Sequence, residues 1–156
     1  FPRLYDNVWW DTGLKENDIY VEFNKGITTD GGADGKPYVL VFDLGENLRE
    51  YNSFGIVPRL QWTAPAPKTV QIEVSDDLNE GWITVVTKND GNGFTEAELK
   101  GATGSYNNHG EGIIHWFELG KLQKRYIRLT IYETFWNKKV LCLDEVFVSD
   151  RSNVVE

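Results

Sequence analysis

The sequence predicts an all-β fold, a sandwich of about eight antiparallel strands. Short segments in which apolar residues recur at every second position follow one another along the chain. Connections rich in Gly, Asn, Asp and Pro separate them, and helical periodicity is confined to one short stretch. With 156 residues the chain suffices for one domain, residues 1–156, built on a single core.

The segments come in order. Residues 18–23 (DIYVEF) alternate. Residues 38–44 (YVLVFDL) are almost continuously apolar, as a strand buried on both faces would be. Strands are expected next over 54–62, 69–75, 82–87, 113–119, 125–133 and 139–149. Val70, Ile72 and Val74 share one face, with Gln71 and Glu73 opposite; Ile127, Leu129 and Ile131 do the same against Arg128 and Thr130. That pattern turns one face to a core and one to water. Pro58 falls inside an expected strand, which marks an edge or a bulge because proline cannot donate to the ladder. The one helix expected is TEAELKG, 95–101, with Thr95 and Glu98 as a capping box and Gly101 as the stop.

The net charge of −8 opposes binding to phosphate backbones, and no long basic run is present, which sets nucleic acid aside. It also disfavours docking on anionic membranes. No apolar run approaches the length of a membrane span. Cys142 is the only cysteine, so no intrachain disulfide forms; it lies in the apolar run KVLCLDEVFV and reads as an inert buried thiol. The chain opens on Phe1 and has no methionine, which suggests a domain cut from a larger protein.

Enzyme signatures are weak. The HWFE run places His115 and Glu118 three apart, on opposite faces of a strand, so they do not form a metal pair. No nucleophile elbow or phosphate-binding glycine loop occurs, and SDDLNEG is turn chemistry. Binding chemistry is better represented. An aromatic ring under the apolar face of a sugar, beside planar polar groups for its hydroxyls, makes a glycan site. Trp9, Trp10 and Asp11, Tyr106 with its neighbours, and Phe135 with Trp136 all stand in loop-like positions. Core packing competes with this reading at Trp136, and more strongly at Trp62, Trp82 and Trp116, which sit in strand patterns.

The order of several short motifs resembles coagulation factor V/VIII type C (discoidin) domains, including family 32 carbohydrate-binding modules. The matching pieces are FDLG (42–45), IVPR (56–59), VQIEVSDDLNEGWITVV (70–86), RYIRL (125–129) and LDEVFV (143–148). The likeness runs from about residue 38 to the end and implies a galactose-binding-like jelly-roll sandwich. LYDNVWWDT (4–12) is similar to the family's opening motif, which makes Asp6 and Glu145 the expected ligands of a structural calcium ion. Trp10 then matches a packing tryptophan, and Trp9 is left to face a ligand. In galactose-binding relatives a His, an Arg, an Asn and a late aromatic form the site. Here those positions hold Asp11, Arg59, Ala64 and Phe135 or Trp136. Two of the four differ, so the resemblance implies a glycan site altered from galactose.

The expected function is therefore that of a non-catalytic carbohydrate-binding module, which tethers a secreted or cell-surface bacterial protein to glycans. The rival expectation is an architectural, protein-binding domain of the same fold with a vestigial sugar site.

Overall fold

The computed structural model describes residues 19–22, 37–59, 62–107, 113–136 and 140–151. Eight strands appear among them: β1 (Ile19–Glu22), β2 (Tyr38–Asp43), β3 (Tyr51–Pro58), β4 (Pro67–Ser75), β5 (Ile83–Val86), β6 (His115–Leu122), β7 (Tyr126–Thr134) and β8 (Val140–Ser149). They form two four-stranded sheets, ordered β1-β8-β3-β6 and β2-β7-β4-β5, and every pairing is antiparallel. The chain passes from one sheet to the other at most connections, so the core forms between the sheets rather than within one hairpin.

The alternation read from the sequence sets that core. Val70, Ile72 and Val74 of β4 and Ile127, Leu129 and Ile131 of β7 are all fully buried. Phe54 and Ile56 of β3 face them from the other sheet and are equally buried. On the outer face, Arg128 meets Glu73 through two bonds, Nε–Oε1 of 3.0 Å and Nη2–Oε2 of 2.8 Å. These two residues are opposite one another in the β4–β7 register.

Two strand expectations need correction. β2 is not buried on both faces: Tyr38, Leu40 and Phe42 point inward, whereas Val39 and Val41 are exposed. β2 is an edge of its sheet, and nothing among the described residues covers its outer side. Valine suits a pleated backbone whether or not it is covered, so an apolar run overstates burial there. β3 runs from Tyr51 to Pro58, not 54–62, and lies between β8 and β6 rather than at an edge. The bulge expected at Pro58 is present: Val57 opposes Glu145 while Pro58 opposes Leu143. Arg59 and Trp62 consequently leave the strand and enter the connection to β4.

The outer face of the β1-β8-β3-β6 sheet is also closed. Ser53, Val57, Cys142 and Glu145 have at most 1% of their surface exposed. Trp116 lies there across Gly55, where a Cβ would come within 2.8 Å of the indole ring. Phe147 packs nearby, with its ring centre 6.2 Å away, and the Arg151 guanidinium covers the indole at 4.3 Å.

Among the described residues no helix is long and apolar enough to cross a membrane.

Candidate functional site

Strand direction gathers three connections at one end of the sandwich. They are 59–66 after β3, 87–114 after β5 and 135–139 after β7. The long middle connection is anchored by its own chemistry. Its helix α1 (Glu96–Lys100) starts at Thr95, whose hydroxyl accepts from the Glu98 amide, while the Glu98 carboxylate accepts from the Thr95 amide. This is the expected capping box, and Gly101 closes the helix as expected. Phe94 and Leu99 plug the end of the core. Gly93 lies against β4, where any side chain would meet the Pro67 carbonyl at 2.6 Å. Its amide donates to the Lys68 carbonyl at 2.8 Å, and the Phe94 amide to that of Pro67 at 3.0 Å.

Thr63 joins the first connection to the second. Its amide donates to the Tyr106 carbonyl at 2.8 Å, and its fully buried hydroxyl lies 2.9 Å from the Leu99 carbonyl and 3.0 Å from that of Tyr106. The first and third connections meet through the Phe135 amide, which donates to Ala66, and the Cys142 amide at the start of β8, which donates to Pro65.

On this framework stands a group of aromatic side chains. Trp136 is 51% exposed. The ring of half-buried Trp62 abuts it edge to face, with centroids 4.6 Å apart and planes at 70°. Phe135 is half-buried against the core, 6.3 Å from the Tyr106 ring. Lys68 Nζ lies 5.6 Å from the Phe135 ring centre, and Lys100 Nζ 4.8 Å from that of Tyr106. Lys100 also pairs with Glu96, which holds the Glu96 carboxyl below its ordinary range and raises the lysine. Beneath the group, His115 Nδ1 is 3.1 Å from both oxygens of Glu98. Burial pushes the Glu98 carboxyl up, but bonds from His115 and from the Thr95 amide outweigh it and leave the group below its usual value.

The predicted site residues fare differently. Phe135 and Trp136 open the third connection, and of the two only Trp136 presents a large open face. Arg59 is half-buried in the connection that also carries Trp62. Ala64, at the position of the relatives' Asn, is buried. Asp6, Trp9, Trp10 and Asp11 lie outside the described residues. Glu145, the other expected calcium ligand, is a fully buried carboxylate at the β8 bulge, beside the equally enclosed Asp144. Its Oε1 lies 3.3 Å from the Val146 amide. No group of three or more His, Cys, Asp or Glu side chains gathers among the described residues. Cys142 is buried, as expected of an inert thiol.

Sequence reasoning placed Trp62 in a strand core, and so missed its part in the group. The available signal was Pro58 before it and Pro65 and Pro67 after it, which confine the segment to a connection. Trp82 and Trp116 are likewise half-buried on outer faces rather than in the core, Trp82 lying under the Arg128 guanidinium at 4.1 Å.

Three solved structures show where this architecture has been seen before. A SusE-like protein superposes with a TM-score of 0.64 at 16% identity, over 94% of this chain and 84% of that one. The F5/8 type C domain of a Bacteroides fragilis protein gives 0.60 at 8% identity, over 96% and 79%. The CpGH89 CBM32-5 module of Clostridium perfringens, solved in complex with GalNAc-β-1,3-galactose, gives 0.53 at 15% identity, over 72% and 66%. The fold is the discoidin-like, galactose-binding-like β-sandwich. No sequence-family model matches the chain, and no curated protein matches it by sequence. The discoidin-like fold thus rests on shape, with little sequence identity behind it.

Proposed function

We propose that the chain is a non-catalytic glycan-binding module of a larger secreted or cell-surface protein. The carrying observation is Trp136, a half-exposed indole braced by Trp62 at the end of the sandwich where three connections meet. An exposed indole held by an edge contact offers a flat apolar face at little entropic loss. Arg59, from the adjoining connection, and Asp11 would bond the sugar hydroxyls, with Trp9 as a further aromatic wall. Two of the structural relatives bear on this reading: one was solved with GalNAc-β-1,3-galactose and one is SusE-like.

One indole face removes on the order of 100 Å² of apolar surface, which contributes about 2 kcal/mol. The loss of ligand motion offsets much of that, so even with hydrogen bonds to the hydroxyls one sugar binds with a Kd of about 1 mM or weaker. Useful retention then needs several modules or a polymeric ligand. We further propose that Glu145 and Asp6 hold a structural calcium ion; a hard carboxylate enclosed by protein suits that cation.

The test is a glycan array followed by titration of tryptophan fluorescence. A binding signal that Trp136→Ala abolishes and Arg59→Ala reduces supports the reading. No binding to any glycan refutes it and favours the architectural alternative.

A further inference from the structure

We infer that the ligand of this site is an acidic glycan, one whose sugar rings carry carboxylate or sulfate groups. The inference rests on the glycan-binding reading above and narrows it.

It comes from how the cations are arranged. At the opposite end of the sandwich, cationic side chains meet carboxylates. Arg125 binds Asp43 through two bonds of 2.8 and 3.0 Å, Lys124 meets Asp76 at 2.9 Å, and Lys121 lies 3.7 Å from Glu50. At the aromatic end two exposed lysines have no ion pair among the described residues. Lys68 rides over Phe135, and Lys88 over Tyr132, with its Nζ 4.3 Å from the ring centre. Arg49, at the far end, also lacks an ion pair among the described residues, but it covers no aromatic ring. Lys100, over the Tyr106 ring, adds a further cation, though it is paired with Glu96.

The carboxylates of the aromatic end have partners of their own, although Glu96 also feels the Lys68 charge and Glu133 meets only a neutral hydroxyl. Glu96 holds Lys100, Glu98 meets His115, and Glu133 accepts from the Thr69 hydroxyl at 3.0 Å. Asp90 is the exposed exception.

A ring beneath an ammonium steadies it without neutralising it, so the charge remains available to a ligand. The ring face under Lys68 is also removed from sugar stacking. Phe135 therefore positions the cation, and Trp136 alone serves as the platform. This divides the two aromatics that a sequence motif treats as alternatives. The chain carries a net charge of −8, which repels anions at long range. Salt screens that field beyond about 8 Å, so contact chemistry at the site decides selectivity. Lysines without an ion pair at the same end of the sandwich as the indole, one of them over the residue next to it, suit a pyranose that presents both a C–H face and an anionic group.

Matched polymers test this: polygalacturonate against its fully methyl-esterified form, and dextran sulfate against dextran. Affinities are measured at about 150 mM salt for the wild type, Trp136→Ala and the double variant Lys68→Gln/Lys88→Gln. Both lysines are exposed, so their replacement leaves folding intact. The inference expects one acidic polymer to bind about five- to tenfold more tightly than its neutral partner. The lysine variant should erase that preference, and Trp136→Ala should remove binding to both forms. The pair that shows the preference tells carboxylate from sulfate. Equal binding of acidic and neutral forms, still dependent on Trp136, overturns the inference and leaves the glycan reading standing. Acidic binding that survives Trp136→Ala is ion exchange and also overturns it. No binding to these polymers or to a glycan array overturns both.

Discussion

Thr63 is the point where the site depends most on a single hydroxyl. Its proton lies between the carbonyls of Leu99 and Tyr106, at 2.9 and 3.0 Å, in a place without solvent. Thr63→Val keeps the shape and deletes the donor, which costs about 2 kcal/mol when a buried carbonyl loses its partner. Thr63→Ser keeps the donor and deletes one buried methyl, worth about 1 kcal/mol. For a chain of this length each kcal/mol shifts Tm by about 2–4 °C. Valine should therefore lower Tm by about 4–8 °C and serine by about half as much. Hydrogen exchange localises the effect. The Gly93 and Phe94 amides, held by Lys68 and Pro67, should exchange up to about 30-fold faster in the valine variant. The Ile72 and Leu129 amides, at the centre of the sheet, should change less. Serine destabilising more than valine would refute the reasoning, as would unaltered exchange at Gly93 and Phe94.

Further consequences can be measured in the same way. Gly55→Ala drives a methyl to 2.8 Å from the Trp116 ring and 2.9 Å from Ile114 Cγ2, so denaturant titration should show a loss of about 1–3 kcal/mol. The Arg128 guanidinium holds the Glu73 carboxyl below its ordinary value, and Arg125 holds that of Asp43 at about 2. A carboxyl depressed in the folded state stabilises at neutral pH and loses that contribution as pH falls through its folded pKa. Tm should thus fall progressively from about pH 5 down to about pH 2, and Glu73→Gln should flatten part of that slope. Calcium should raise Tm relative to chelator, and Glu145→Gln should abolish the increment; a wild-type Tm indifferent to calcium rejects the proposed ion.

The strands were legible because period two is a direct consequence of the pleat. Val70, Ile72 and Val74 announce a buried face from their spacing alone, and the structure buries all three. Errors arose where apolar content and burial separate. Val39 and Val41 look like core yet face outward from an edge strand. Trp62 prolongs an apolar run past Pro58 although the strand has ended. The helix was legible in full, because a capping box is a contact between residues three apart. The link between Glu98 and His115 spans seventeen positions and two elements, so no local pattern carries it.

The site follows the same division. Trp136 stands out in the sequence as an aromatic residue in a connection, but its brace does not, because Trp62 comes from a different connection seventy-four positions earlier. Phe135 and Trp136 are equivalent as letters. The fold separates them: Phe135 turns toward the core and carries Lys68, while Trp136 turns out. A gradient from core to water runs through this end, from fully enclosed Phe94 and Leu99, through half-buried Tyr106 and Phe135, to Trp136. The inner members are held by what the core needs. Among the described residues the outermost gains an edge contact of about 1 kcal/mol, while it leaves a large apolar face exposed. Packing among the described residues alone therefore accounts poorly for Trp136, which is why the proposed ligand is set against this indole.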